Sequence, residues 1–282
     1  MDFPKSVPGI GLVGGKFVDE DQLTGTPGSL IPAQWGNSVT EELLNVIAAA
    51  GFAPNETANN QLITAIKAIT GGRLINVAVF NTSGIYTRSV GTKAIRIRLV
   101  SGGAAGGGAT ATNASQISAG TGGCSGSYAE GYYTTVPATA AVTVGLGGIG
   151  VQGTTGGNGG SSSVGSLISV SGGTGGNQLG PTVPPLTANV NPAGTSITGA
   201  NIMGIHSGAP PMAFVTSLSV GYSGQGASSL LGAGGASVNG SGDGTNGSGF
   251  GAGGGGALCL ASSIARTGGK GTNGIVIIEE YS

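Results

Sequence analysis

Residues 94–108 read AIRIRLVSGGAAGGG, and the change between the two halves of this stretch divides the whole chain. In the first half, isoleucine and leucine alternate with arginine, which is typical of a strand with one buried face. In the second half glycine dominates, and 49 of the 61 glycines lie after residue 100. Between residues 101 and 265 the only formally charged side chains are Glu130 and Asp243. An ordinary N-terminal third is therefore joined to a long, nearly uncharged body.

The composition of this body indicates order. Glycine-rich sequence is often flexible linker, but disordered chains usually combine low hydrophobicity with high net charge. Here 38% of the residues are apolar and the formal net charge is −1. Each glycine in regular structure costs roughly 0.5–1 kcal/mol relative to alanine, and burial against further copies would offset that cost. We therefore expect an obligate oligomer.

Further short strands are predicted along the body, with glycine-rich loops between them. The candidates are residues 77–80, 84–87, 128–133, 140–144, 164–170, 213–220, 257–261 and 275–281. They predict a mainly β fold, with an antiparallel β-sandwich or jelly-roll-like domain over residues 74–282. The last run is apolar enough to be a central strand that closes the sheet. Packed polyproline II helices are the alternative, because the glycine spacing at 156–160 and 251–256 allows such helices to approach closely.

The residues before this domain divide into two parts. Prolines and glycines make residues 1–37 an extended attachment arm, which we expect to dock along another protein; a solvated linker is the alternative. Residues 38–73 are predicted to form a helical hairpin for trimerisation or attachment. Its packing against this chain's own β domain is the alternative.

Two short amphipathic helices make up the predicted hairpin. Ser38 and Glu41 have the spacing of a capping box at the start of the first helix, and Gly51 supplies a left-handed stop at its end. The second helix is expected over residues 57–69. Each helix has one apolar stripe, so each needs something to pack against.

No pattern for catalysis, cofactor binding or metal binding stands out. The matches to G-x-G-x-x-G that begin at Gly9 and Gly145 are not followed by the helix that a dinucleotide site needs. His206 is the only histidine, so a site with several histidine ligands cannot form. Glu130 and Asp243 are the only carboxylates of the body that could converge for glycoside hydrolysis. We expect that pairing to be coincidental, and a polysaccharide depolymerase is the least favoured hypothesis.

Charge and hydropathy also exclude classes of partner. The net charge is near zero, so the chain does not have the excess of basic residues that binding to nucleic-acid phosphates requires. No run approaches 18 apolar residues, so membrane insertion is not expected. The first residues lack the basic and apolar regions of a signal peptide, which predicts synthesis in a cytoplasm. We expect Cys124 and Cys259 to be buried free thiols.

The interval 179–222 differs from the rest of the body. It is poorer in glycine, holds six prolines, and contains the only histidine and the only two methionines of the body. Stiffened loops with scattered apolar side chains suit the binding of a variable surface, whereas a packed insertion that fills space between protomers is the alternative. The candidate receptor-binding residues are Pro185, Met203, His206, Met212, Phe214 and Tyr222.

Several motifs in the sequence resemble those of a known protein family. The N-terminal part reads GKFVDED at 15–21, TGTPGSLIPAQWGN at 24–37 and TEELLNVI at 40–47. The later part contains GIYT at 84–87, four glycines at 253–256 and the closing run at 275–281. Nearly the whole chain resembles tail fibre proteins of tailed bacteriophages and prophages of Gram-negative bacteria, including Mu-like phages of pseudomonads. In those proteins a glycine-rich domain often forms the C-terminal fibre tip.

The resemblance implies a homotrimeric, non-enzymatic fibre in the virion. Its N-terminus would attach to a baseplate or tail-tip protein, and we expect Phe17, Asp19 and Trp35 to contribute to that attachment. Its C-terminal domain would bind a host surface receptor such as lipopolysaccharide or a pilus. The chain departs from the family pattern at 179–222, where relatives tend to stay glycine-rich. A purely structural baseplate or tail-tip component is the alternative function.

Overall fold

A computed structural model describes residues 3–25, 27–190, 192 and 195–282. The chain divides into two compact units, one that ends at Arg73 and one that covers Leu74–Ser282. The first unit contains helices α1 (Ala33–Ala49) and α2 (Gln61–Ile69). Among the described residues, neither helix has the length and hydropathy to cross a bilayer.

Both helices begin at different residues from those that the sequence predicts. Pro32, with φ −65° and ψ 140°, is the N-cap residue of α1, so residues 33–37 are helical and do not belong to an extended arm. The predicted capping box is wrong, because Ser38 lies inside the helix and its hydroxyl donates to the Gln34 carbonyl at 2.9 Å. α2 begins four residues late because Asn55 accepts hydrogen bonds from the amide and hydroxyl of Thr57, which holds a turn there.

The described residues of the second unit form sixteen strands, and the predicted mainly β class is confirmed. They are β1 Leu74–Phe80, β2 Gly84–Thr87, β3 Ala94–Val100, β4 Ile117–Gly120, β5 Tyr128–Tyr133, β6 Thr139–Thr143, β7 Ser162–Val164, β8 Ile168–Val170, β9 Gln178–Thr182, β10 Leu186–Ala188, β11 Ile197–Thr198, β12 Met203–Ile205, β13 Ala213–Val215, β14 Gly221–Tyr222, β15 Leu258–Cys259 and β16 Ile275–Tyr281. Residues 165–167 form a turn within the predicted strand 164–170, and the predicted strand at 213–220 ends at Val215.

These strands form four antiparallel sheets. Their orders are β1-β16-β3-β5-β12, β11-β8-β7-β6-β2, β10-β13-β14 and β15-β4-β9. β16 pairs with β1 on one side and with β3 on the other, which confirms the closing run as an internal strand. The two five-stranded sheets share one apolar core, to which β3 contributes Ile95, Ile97 and Leu99. The alternation at 94–100 therefore has the predicted consequence, with isoleucine and leucine inside and arginine outside.

Between the strands, segment 101–109 makes hydrogen bonds with a period of three. Its amides donate in turn to three different segments, at N···O distances of 2.8–3.0 Å. Residues 101, 104 and 107 donate to carbonyls 127, 124 and 121; residues 102, 105 and 108 to carbonyls 160, 157 and 154; and residues 103, 106 and 109 to carbonyls 272, 269 and 266. Three residues per turn without internal hydrogen bonds is the pattern of a polyproline II helix. We call segments 101–109, 121–127, 154–160 and 266–272 the glycine lattice.

Close packing explains why the lattice is made of glycine. A Cβ atom on Gly106 would lie 2.0 Å from the Gly255 carbonyl oxygen, and one on Gly102 would lie 2.1 Å from that of Leu146. Neither approach is sterically possible, so backbones pack where side chains would pack in an ordinary core. The thiols of Cys124 and Cys259 are buried and unpaired, as predicted.

Candidate functional site

The described strands of the interval 179–222 are distributed over all four sheets. β12 is the edge strand beside β5, and it places Met203 opposite Glu130. His206 follows that strand and is exposed. Pro185 is also exposed and precedes β10 in a different sheet. These three predicted site residues therefore do not lie on one sheet.

Three other predicted site residues do come together. In the sheet β10-β13-β14, Phe214 is opposite Tyr222 in register, and the two ring centroids are 5.3 Å apart with an interplanar angle of 38°. Each residue is 42% exposed. Met212, which is 59% exposed, lines the same groove. We call this the aromatic groove; it has a volume of about 270 Å³.

The opposite face of the same sheet fixes the aromatic groove to the body. Ala213 and Val215 alternate with Phe214 and are buried in a small apolar core with Ile117 and Leu258. Just after β14, the chain donates hydrogen bonds from residues 224 and 227 to carbonyls 120 and 123. The groove is thus held by a buried face and by backbone contacts with the lattice.

Two of the three N-terminal candidates, Phe17 and Trp35, lie in a small aromatic cluster. The ring centroids of Phe17 and Trp35 are 5.1 Å apart at 75°, and those of Phe17 and Phe3 are 5.6 Å apart. Asp19 is exposed. Sequence reasoning missed Phe3, which reaches this cluster from fourteen residues upstream and had no periodic neighbour to indicate it.

The helical unit also contains a groove of about 740 Å³ between α1 and α2. Leu43, Leu44, Ile47 and Leu62 line it, together with polar side chains from the connecting segment. Leu43 and Leu44 are partly exposed. The apolar stripes predicted from the sequence therefore leave a recess within this unit that the two helices do not fill by themselves.

The carboxylates of the body have structural partners. Glu130 is buried and forms an ion pair with Arg96, and Tyr128 donates a hydrogen bond to it at 2.8 Å. Burial alone would raise the pKa of Glu130, but the hydrogen bonds from Tyr128 and Arg96 outweigh it and lower the pKa. Asp243 instead accepts the Thr267 amide at 2.8 Å. The two carboxylates thus contact different groups and share no partner.

A second buried carboxylate, Glu280, lies between β1 and the turn after β2. It accepts hydrogen bonds from the hydroxyls of Tyr86 and Ser89, from the Ser89 amide, and from the Asn76 side chain. Burial opposes ionisation, yet these donors, led by Ser89, lower the pKa of Glu280 to about 2. Every donor comes from the protein itself, so the group acts as a structural anchor.

Other reactive or ligating groups are scattered. In the part of the chain that the structure describes, no three His, Cys, Asp or Glu side chains gather closely enough to hold a metal ion. Burial raises the pKa of the Cys124 thiol to about 11, and burial also raises that of Cys259. Both thiols are therefore protonated at neutral pH and poor nucleophiles.

Three polar residues beside the aromatic pair were not predicted from the sequence. Gln225 and Ser237 line the aromatic groove, and Thr187 is opposite Phe214 on β10. Serine, threonine and glutamine are common throughout the body, so composition does not distinguish these three. Only the sheet pairing and the path of the loop after β14 bring them to Phe214 and Tyr222.

No protein-family model and no curated protein sequence matches the chain.

Proposed function

We propose that the chain is a phage tail fibre protein that attaches to the baseplate or tail tip by its N-terminal residues and binds a host surface receptor with its glycine-rich domain. In this proposal it is a homotrimer within the virion and has no catalytic role or cofactor. The receptor is lipopolysaccharide or a pilus. The sheets and the glycine lattice together form the sandwich-like fibre tip.

The aromatic groove is the observation that carries this proposal. Phe214 and Tyr222 are each 42% exposed and lie on a short sheet whose other face is buried. Exposed aromatic side chains on a rigid support are typical of recognition surfaces, because little conformational entropy is lost when they bind. The lattice behind them supplies that rigidity through backbone hydrogen bonds.

Exposed apolar side chains support the trimer. In the second unit, β1 exposes Leu74, Val77 and Val79, and the segment after β6 exposes Leu146 and Ile149. Large apolar patches of this kind mark interaction surfaces when they are contiguous. The recess between α1 and α2 offers a further place for a partner or a second copy. Light scattering should give three times 26.8 kDa, and a stable monomer would contradict the trimer.

Cell binding tests receptor recognition directly. Removing the whole interval is unsuitable, because it would delete strands from all four sheets. We therefore choose the double variant Phe214→Ser, Tyr222→Ser in the full chain, labelled and incubated with a panel of Gram-negative strains, pseudomonads included. Wild-type protein should bind at least one strain, and the double variant should lose most of that binding.

Tyr132→Ser is the matched control, because Tyr132 is 43% exposed and lies on a different sheet. It should bind cells as the wild type does. If the double variant binds cells as the wild type does and has the same melting temperature, the groove does not take part in receptor binding. If soluble wild-type protein neither binds cells nor competes with adsorption of the virion that carries it, the structural alternative takes its place.

A further inference from the structure

The aromatic groove has a regular arrangement across three strands. Thr187, Phe214 and Tyr222 are successive cross-strand neighbours on β10, β13 and β14, and all three are exposed. Pro211 and Met212 border the two rings. The result is a shallow groove with an apolar floor, in which both aromatic residues are partly exposed to solvent.

Polar groups without partners stand at the side of this floor. In the part of the chain that the structure describes, the Tyr222 hydroxyl, the Gln225 amide and the Ser237 hydroxyl make no hydrogen bond, whereas most neighbouring hydroxyls do. Together these groups offer both hydrogen-bond donors and hydrogen-bond acceptors. A purely apolar occupant would bury these groups without replacing their hydrogen bonds to water, which is unfavourable.

Charge narrows the choice of occupant further. No residue between Glu130 and Asp243 carries a formal charge, and every residue that lines the groove falls within that range. A phosphate, a carboxylate or an ammonium group would lose its hydration there without gaining an ion pair. The occupant therefore combines apolar faces with uncharged hydroxyl or amide groups.

We propose that the aromatic groove binds a neutral saccharide, whose C–H face stacks on Phe214 and Tyr222 while its hydroxyls bond to Gln225 and Ser237. This inference rests on the proposed function, since it names the receptor chemistry that the groove recognises. A volume of about 270 Å³ is below the roughly 300–1,000 Å³ of sites for drug-sized ligands. The groove thus accommodates one or two sugar rings at a time, and repeated copies of the chain supply avidity.

Saturation-transfer NMR on the full-length protein tests this inference. The probes are glucose, galactose, N-acetylglucosamine and, as the charged comparison, glucuronate. At least one neutral sugar should receive saturation, with a Kd of about 1–10 mM as expected for a small, open site. Glucuronate should receive less than the best neutral sugar.

Substitutions then assign the signal to the groove. Tyr222→Ala and Phe214→Ala should each weaken binding of the best neutral sugar by about tenfold, because each removes one of the two rings on which the sugar stacks. Gln225→Ala should weaken binding about fivefold, because it removes a neutral hydrogen bond to the sugar. Tyr132→Ala should leave the affinity for that sugar unchanged. Circular dichroism and melting temperature confirm that each variant is folded.

Several results would overturn the inference. These are the absence of transfer to every neutral sugar, a preference for glucuronate, or equal transfer in wild type and in Tyr222→Ala. If the wild type binds cells through Phe214 and Tyr222 but no neutral sugar binds, the saccharide inference fails and the proposed function stands. If a sugar binds in the groove but the chain binds no cells, the proposed function fails instead.

Discussion

The glycine lattice and the paired five-stranded sheets are two cores built on opposite principles. In the sheets, side chains fill the interior, and Ile95, Ile97 and Leu99 are almost completely buried. In the lattice, backbones fill the interior, and the amides of residues 101–109 all find carbonyls on neighbouring segments. A side-chain core is weakened when atoms are removed, whereas a backbone core is disrupted when atoms are added.

This difference explains how a body with few large apolar residues can be ordered. Buried backbone groups must be hydrogen-bonded, and the period of three lets one segment satisfy three neighbours with its amides. Alanine is tolerated at 104, 105 and 109, which are completely buried, while the glycines between them have no space for a Cβ. The lattice is therefore held together mainly by backbone hydrogen bonds, with little help from side chains.

The largest effect is expected where one methyl group is added to the lattice. In Gly106→Ala the new Cβ meets the backbone of Gly255 and Gly256 at 2.0–2.8 Å. Backbone cannot move aside as a flexible side chain can, so unfolding free energy should fall by at least about 3 kcal/mol, the upper end of overpacking effects. Urea denaturation measures the loss. Gly240→Ala, with no atom within 4 Å, is the control, and a similar loss in both variants would contradict the packing argument.

The next largest effect on stability is expected at Glu280, the buried carboxylate that anchors β16. Glu280→Gln keeps the size of the side chain but removes the charge that its donors stabilise, and should cost about 2 kcal/mol at pH 7. The folded pKa of Glu280, about 2, is below its ordinary value of 4.5. Its stabilising effect is therefore fully present above pH 4.5 and is lost as the pH falls towards 2.

This pH dependence is checked by measuring the melting temperatures of wild type and Glu280→Gln between pH 7 and pH 2.5. The two curves should converge on acidification. A gap that stays constant or widens at low pH would show that the carboxylate charge is not what stabilises the site. Glu42→Gln, at an exposed position of α1, should differ from wild type at no pH.

A smaller effect is expected where one methylene is removed from the sheet core. Ile97 is completely buried, and Ile97→Val should cost about 1 kcal/mol. Ile85→Val is the control because Ile85 is 71% exposed. Urea denaturation should show that this loss is well below that of Gly106→Ala. The reverse order would mean that the lattice is the softer of the two cores.

The smallest effect on stability is expected in the aromatic groove. Tyr222→Ala removes a half-exposed ring and its contact with Phe214, and should cost about 0.5 kcal/mol, the lower end for an aromatic pair. Thermal denaturation measures it beside the cell-binding assay. Large loss of binding with little loss of stability would separate recognition from packing, whereas a loss above about 2 kcal/mol would identify the pair as part of the core.

Much of the fold was predictable, but its boundaries were less so. The strands at 84–87, 128–133 and 275–281 match the sequence-based prediction, because alternating or continuous β-branched and aromatic runs are strong local signals. The start of α1 was misplaced because Ser38 and Glu41 fit a capping pattern, while Pro32 begins the helix earlier. Phe214 and Tyr222 were predicted as site residues, but Met203 and His206 lie elsewhere, because sheet pairing separates residues that are close in sequence.

The sequence by itself determined that the body is nearly uncharged, mainly β, and dependent on glycine, since these follow from composition and local periodicity. It also indicated polyproline II packing as an alternative to a continuous sandwich. Only the tertiary structure decided that segment 101–109 bonds to three segments in turn, because those partners lie up to about 170 residues away in the chain. The same is true of the aromatic groove, where Gln225 and Ser237 join Phe214 and Tyr222 through strand pairing and loop path. Local propensities do not encode contacts at such separations.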